Sequence, residues 1–567
     1  MNKLLALSIL TSSILLGVDV PNIDAIENSI SVPKIIEEKN QENKNDLIEI
    51  GGVKKYAPQM SEDTSGKKIN VKSFKIDGAI HLDEQYLQAL ISSYNDQDLT
   101  FTQIKDVTSV ITKEYREKGY FVARAYLPIQ TMQDGIVTIA IIEGSYGEFK
   151  LTNNSNVDNS LVQGMLDDAK ARDNVVSTDT LERSMLIIND TPGVAVIKAD
   201  VKPGAHVGSS DFVIETQSTP FYDGYIVADN YGSKYTGKNR LMTGVNLNSP
   251  LNLGDKLSVS GLISNGEDIK NYKLEYEIPL MANGLKAQTS YSKTDYNLVE
   301  MGQTTPDGIY DGYISTIQAG ISYPIIRTRM ENLNFITTYS NKELKDYYED
   351  AISKNREING AKVGLDYTKN NTLFGFDSSS RIETFYTLGK LNIKDETTKT
   401  QDKEGVNTQG TYSKVNLSLE NELLFTSTYS LNTNVKTQYA LQNKNLDGSE
   451  DFTLGGMEGV KVFSDSEQSV ENAVVFSSEF LVKLPELQIL IHKVGFFYDV
   501  ATGDMSNSKK DTEFERRTLQ DIGVGYYTNY KNAFTKLQVA RVVGAEEIES
   551  ENIGNISKIL VQAGVVF

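Results

Sequence analysis

The chain has no cysteine, no tryptophan, and only 3 histidines and 12 prolines among 567 residues. Without cysteine there is no disulfide, no thiolate nucleophile, no Cys-ligated zinc and no lipoprotein processing. His81, His206 and His492 are scattered, which leaves little for a His-ligated metal. Beyond the N-terminus no segment approaches the roughly 18 consecutive apolar residues of a membrane-spanning helix. Positive charge is also in deficit: a net charge of −20 repels phosphate backbones and makes nucleic acid a poor partner. The phosphate-cradling G-x-x-x-x-G-K-[ST] loop, the G-x-S-x-G elbow and the H-E-x-x-H helix are all missing. No nucleotide, metal or cofactor is expected, and an enzyme ranks last among the functions considered.

What is present points to strands and turns: 30 Tyr, 42 Gly and abundant Asn, Ser and Thr. Lys3 followed by an apolar core over 4–18 reads as a signal peptide, residues 1–19. Residues 20–68 have the polar composition of a solvated linker, within which a short helix over 32–39 is a candidate pore plug. A compact α/β module is expected over 69–147: a strand over 70–76, helices over 83–92 and 102–118, and strands over 121–127 and 136–143. Ile104, Val107, Val110, Ile111 and Tyr115 lie at helical spacing in the second helix, and Gly119 stops it. Residues 148–217 repeat the β-α-α-β-β order with little identity, as a second module.

Past residue 220 the helical period disappears. Segments of roughly 8 to 14 residues alternate apolar and polar, as in Leu241, Thr243, Val245 and Leu247 against Met242, Gly244, Asn246 and Asn248. A soluble sandwich would alternate too, so the period alone does not decide. About sixteen such strands over 221–567, one of them starting near Asn359, are an even count, which a closed bacterial barrel requires because lipid cannot satisfy an open sheet edge. The chain ends with Ile559, Val561, Ala563, Val565 and Phe567 on one face. The fold expected is mainly β: a 16-stranded transmembrane barrel, facing outer-membrane lipid, behind two small α/β modules.

The chain resembles the haemolysin-activator family of two-partner secretion transporters, barrels preceded by POTRA modules. The first module carries the resemblance in Phe74-Lys75-Ile76-Asp77-Gly78, Leu99-Thr100, Tyr115 to Tyr120 around Gly119, Pro128-Ile129-Gln130, Asp134-Gly135 and Glu143-Gly144. Most of these are fold residues: glycines at turns, apolar positions in a core. The barrel opening, Asp229-Asn230-Tyr231-Gly232 and Asn248 to Asp255, is similar to the family's first hairpin and following turn.

The third match carries mechanism. The resemblance implies a loop between the eleventh and twelfth strands, here 443–470, that folds into the pore and pairs a V-R-G-Y/F arginine with an aspartate of an F-x-D motif on the thirteenth strand. Here the tip reads Gly455-Gly456-Met457-Glu458-Gly459-Val460-Lys461-Val462-Phe463 and the wall Phe497-Tyr498-Asp499. Lys461 stands where the family has Arg and Val462 where it has Gly. Lysine lacks the guanidinium fork, so a weaker and less oriented clamp with Asp499 is expected, and Val462 lacks glycine's access to positive φ.

The implied function is an outer-membrane pore that meets an unfolded partner polypeptide in the periplasm and exports it, the partner being a large exoprotein of adhesin or haemolysin type. An insertase of the same superfamily is second; two modules rather than many argue against it. A diffusion porin is third and leaves the modules unexplained.

Overall fold

The computed structural model describes residues 60, 66–132, 134–299, 308–487, 489–505, 516–544, 546–550 and 556–567. The expected signal peptide, the plug-helix candidate and nearly all of the 20–68 segment lie outside the described residues.

The first module runs β1 (Lys68–Val71), β2 (Ser73–Asp77), α1 (Glu84–Ile91), β3 (Gln97–Thr100), α2 (Phe101–Glu117), β4 (Arg124–Tyr126) and β5 (Ile136–Ile142). Helix α2 starts in a capping box, Thr100 and Gln103 each satisfying the other's backbone N–H. Its stripe of Ile104, Val107, Ile111 and Tyr115 is fully buried against the sheet. The single strand expected over 70–76 is two strands: β1 pairs with β3, and after Lys72 the chain enters the main sheet, ordered β2-β5-β4. The order β-α-α-β-β therefore needs correcting by two strands, β1 ahead of β2 and β3 between the helices. Gln97 and Asp98 carry no alternation because their short strand buries only Leu99.

The second module runs β6 (Ser145–Asn154), α3 (Asn159–Arg172), α4 (Thr178–Asn189), β7 (Ala195–Pro203) and β8 (Ser209–Gln217), with sheet order β6-β8-β7. In the main sheet of each module the first strand, β2 or β6, pairs parallel to the last, and the intervening strand pairs antiparallel to it. Helix α4 is buried nearly all round. One face, through Leu181, Met185 and Ile188, fills the module's own core. Its other face meets the barrel, where Arg183 donates to the backbone carbonyls of Pro324 (2.5 Å) and Asn283 (3.3 Å). Just beyond α4, Asp190 takes a two-pronged ion pair from Arg327, at 2.6 and 2.9 Å.

The barrel begins with β9 (Tyr222–Asp229), β10 (Arg240–Asn248), β11 (Lys256–Ser264), β12 (Ile269–Pro279) and β13 (Lys286–Asn297). Its middle is β14 (Tyr310–Arg327), β15 (Glu331–Tyr348), β16 (Ala351–Leu373), β17 (Phe376–Ile393), helix α5 (Glu396–Glu404), β18 (Gly410–Leu424) and β19 (Tyr429–Ala440). A small ribbon, β20 (Phe452–Thr453) with β21 (Ser469–Val470), lies in the loop that follows. The wall then finishes with β22 (Asn472–Lys483), β23 (Leu490–Asp504), β24 (Arg516–Tyr530), β25 (Ala533–Val542) and β26 (Ser557–Val566). Sixteen antiparallel strands close on themselves, β26 pairing with β9 from Gln562↔Asp229 to Val566↔Tyr225.

Seven of the sixteen wall strands are longer than the 8 to 14 residues expected: β16 has 23, β14, β15 and β17 have 18 each, and β18, β23 and β24 have 15. The strand expected to begin near Asn359 begins at Ala351. Ser353-Lys354-Asn355 read as loop but pair back across a tight turn in which Glu349 and Asp350 both have positive φ, the geometry of a two-residue hairpin. Ile226, Leu241, Val245, Leu417, Tyr439, Ile559 and Val561 face outward and are exposed, as a lipid-facing band requires. Among the described residues no helix is long and apolar enough to cross a membrane.

The second module contacts the turns β10–β11, β12–β13 and β14–β15, which fixes that end of the barrel as the module side. The loop from β19 to β22 enters from the other end.

Candidate functional site

Of the motif residues of the first module, Tyr115, Gly119, Tyr120, Glu143 and Gly144 gather where it meets the second, whereas Pro128, Gln130 and Gly135 lie at the far end of β5. Gly119 has φ +91° and ends α2 in a Schellman motif: Tyr120 N–H donates to the Tyr115 carbonyl and Gly119 N–H to that of Arg116, with the Tyr115 and Tyr120 rings edge to face. The Gly119 carbonyl then accepts from Thr178 N–H at 2.9 Å, and the Gly144 carbonyl accepts from Val176 N–H at 2.9 Å, both across the junction. Gly144 also has no room for a side chain, since a Cβ there would lie 2.4 Å from Val122. Gln130 bonds both the N–H and the carbonyl of Thr138, at 2.8 and 2.7 Å, extending β5 sideways. Pro128 precedes it in that turn, and Gly135, at φ +78°, packs close against Lys72 and the Asn70 carbonyl.

Glu143 is the hub of the junction. Its buried carboxylate accepts from Ile80 N–H, His81 N–H (2.8 Å each) and the Tyr115 hydroxyl (2.9 Å), and its other oxygen lies 2.6 Å from His81 Nδ1. His81 Nε2 reaches Asp173 of the second module at 3.2 Å. Burial alone would raise the Glu143 pKa, but these donors hold it below the usual carboxylate range. Burial works against the charged form of His81 too, yet Glu143 and Asp173 raise its pKa above 6.5. The sign follows. The His81 contribution is complete below pH 6.5 and is lost as pH rises through the raised value; the Glu143 contribution is lost only as pH falls through its lowered value. Hydrogen exchange at the Ile80 and His81 amides, corrected for intrinsic rate, should therefore quicken from pH 6 to pH 8, and His81→Gln should abolish the change.

The loop between β19 and β22 folds back into the lumen. Its tip is compact: Gly456 N–H donates to the Phe463 carbonyl (3.0 Å) and Val460 N–H to that of Leu454 (2.9 Å), while a Cβ on Gly455 would lie 2.1 Å from the Ser464 carbonyl oxygen. Leu454, Val460, Val462 and Phe463 are fully buried in one cluster with Phe497, Ala501, Leu519 and Ala540 of the wall. Lys461 Nζ lies 2.6 Å from Asp499 Oδ2 and 4.7 Å from the centre of the Phe497 ring. The ring orients the ammonium in place of the missing guanidinium fork. Asp499 is fully buried and Lys461 only 12 % exposed, so the pair is not a wet lumen bridge. Val462 is not among the residues with positive φ, so this tip makes no demand for glycine there.

Two wall residues escaped sequence reasoning. Asp521 on β24 stands directly across from Asp499 and accepts Val462 N–H at 2.7 Å, so that two neighbouring strands hold consecutive tip residues. Gly523, also on β24, lies beneath Phe497, whose ring atom would sit 2.1 Å from an added Cβ. Only the register β23–β24 brings them to the motif, though their spacing, two residues apart on one face, repeats that of Phe497 and Asp499.

The returning leg of the loop is fixed as well. The buried Glu467 carboxylate accepts from Arg517 (3.0 Å), from the backbone N–H groups of Glu549 (2.9 Å) and Ser550 (3.0 Å), and from the Ser550 hydroxyl.

Comparison with known proteins places this geometry. The sequence model of the haemolysin secretion/activation protein ShlB/FhaC/HecB matches residues 208–527, and that of the ShlB-type POTRA domain matches 69–144. The heme/hemopexin transporter protein HuxB of Haemophilus influenzae (strain 86-028NP) is 26% identical over 447 residues, 77% of either chain. The outer membrane transporter CdiB of Escherichia coli is 23% identical over 320 residues, 55% of this chain and 53% of its own. Among solved structures, CdiB from Escherichia coli superposes with a TM-score of 0.74 at 20% identity, covering 96% of this chain and 98% of its own. BamA from Haemophilus ducreyi lacking POTRA domains 1–3 gives 0.51 at 12% identity, over 88% and 100%. With the family model spanning more than half of its length, this chain belongs to the haemolysin secretion/activation family ShlB/FhaC/HecB, the outer-membrane transporters of two-partner secretion, whose POTRA modules lie in the periplasm.

Proposed function

We propose that the chain exports one large, unfolded exoprotein, caught by the two modules and passed through a lumen that the β19–β22 loop closes at rest. The observation that carries the gating part is the tip geometry: a buried Lys461–Asp499 pair with the next backbone N–H on Asp521. In each module the outer strands of the sheet, β2 and β4, β6 and β7, pair on one side only within that sheet. An extended segment can add to such an edge through main-chain hydrogen bonds, which suits an unfolded chain because the backbone is the same whatever the sequence. The wall then offers polar inward groups such as Lys362, Arg381 and Gln438, to which a peptide binds weakly enough to move on. With no nucleotide to drive passage, folding of the partner outside would give it direction. Export of a large exoprotein, where one is encoded beside this gene, followed with the chain present and absent, tests the reading; an insertase would instead change the yield of other outer-membrane barrels.

A further inference from the structure

The tip pair is not the loop's sole attachment. Its outgoing leg is fixed to a different sector of the wall by a second set of charges. Asp447 Oδ2 accepts from Arg356 Nη1 at 2.8 Å, while Arg356 Nη2 bonds Asp346 at 2.8 Å. Glu450 sits between two ammonium groups, Lys414 at 2.9 Å and Lys342 at 3.3 Å. Its main-chain carbonyl accepts from Lys414 Nζ (2.6 Å) and Gln438 Nε2 (3.0 Å). Just before them Leu446 is buried among Ile314, Leu344, Ile358 and Leu391. Asp447, Glu450, Lys342, Arg356 and Lys414 all have side chains at most 15 % exposed, so none of the pairs is a solvent-screened surface bridge.

These partners lie on β15, β16, β18 and β19, the seventh, eighth, tenth and eleventh strands of the wall, whereas Lys461 and Val462 of the tip are held by the thirteenth and fourteenth, with Glu458 of the tip also paired to Lys436 on β19. The loop therefore crosses from one sector to another and is pinned in both. Releasing the tip alone leaves the first leg, with two buried carboxylates and three buried cations, in place.

We infer that the pore is closed by two independent anchors, and that Lys342, Arg356 and Lys414 are positioning residues which must let go of Asp447 and Glu450 before the loop clears the lumen. This rests on the reading of the chain as a loop-gated pore. The anchors are chemically alike but spatially separate, so their contributions to closure should add, and the odds of opening should multiply.

The test uses the full chain in planar lipid bilayers, with ion conductance as the readout and heat-modifiable gel migration as the check on barrel folding. Three variants are compared: Asp447→Asn with Glu450→Gln, which keep shape and remove charge; Lys461→Met; and all three changes together. The first-leg variant should raise the odds of the open state about tenfold or more, and the triple variant should show the product of the two separate effects. A triple variant no more open than Lys461→Met would overturn the inference. Because the chain has no cysteine, Met457→Cys gives a second readout: its reaction with an impermeant maleimide should quicken in the first-leg variant, and an unchanged rate would count equally against it. A chain lacking 443–470 that inserts but never conducts would overturn the gated-pore reading and this inference with it.

Discussion

Removal of residues 69–217 will leave a barrel that inserts in the outer membrane and exports no partner. The barrel is self-sufficient: every wall strand finds both neighbours between Tyr222 and Val566, and closure by β26 on β9 uses no module residue. Among the described residues the modules touch it at its near rim, through Arg183 on backbone carbonyls, the Asp190–Arg327 and Glu182–Arg329 pairs, Arg172 on Tyr323, and the turn contacts of Asn156 and Asp158. Their loss exposes that rim to water, which can solvate the freed polar groups. Capture goes with them, because the open strand edges facing the periplasm belong to the modules. Export into the medium should fall to background while heat-modifiable barrel remains at the wild-type level. Export that survives the deletion would refute capture by the modules.

The second large effect lies at the loop tip. Asp499→Ala removes the carboxylate in contact with the buried Lys461 ammonium and leaves it only the wall carboxylates Asp521 and Glu479 nearby. Removing one partner of a buried pair costs about 3–5 kcal/mol, because the other charge stays desolvated. Set against a loop-in, loop-out equilibrium, that is a shift of roughly two to nearly four orders of magnitude toward loop-out. Lys461→Asp should be as harmful, since it places a third carboxylate at Asp499 and Asp521. Exchanging the charges, Lys461→Asp with Asp499→Lys, returns an opposite pair and puts the new lysine next to Asp521. The exchanged chain should secrete more than either single variant, and a double variant that merely combines the two losses would show that the residues act separately.

The barrel was legible because an outward-facing position recurs every second residue; Leu417 and Leu419 or Ile559 and Val561 announce the lipid face without help from any distant residue. The Schellman stop at Gly119 was legible for the same reason, its cause being local. Strand length was not. Ser353, Lys354 and Asn355 are polar, and only the positive φ of Glu349 and Asp350 returns them to pairing with β15. The lumen resisted most. Lys461 and Asp499 could be named because both sit in motifs, but Asp521, Gly523, Glu467 and the first-leg cations carry no local signature. Their meaning comes from strand register and from a loop crossing the lumen, both set by closure of the whole wall. Glu143 was singled out as a fold residue; its reach through His81 to Asp173 depends on how two modules pack, which periodicity within one module does not encode.

This chain moves a partner protein across the outer membrane. The most direct measurement is to express it, with a large exoprotein encoded beside its gene, in a host lacking other transporters of the family, and to follow that exoprotein in periplasm and medium. The exoprotein should leave the periplasm only when the chain is present, with the levels of other outer-membrane barrels unchanged. Equal export with and without the chain, or depletion of other barrels on its removal, would contradict it.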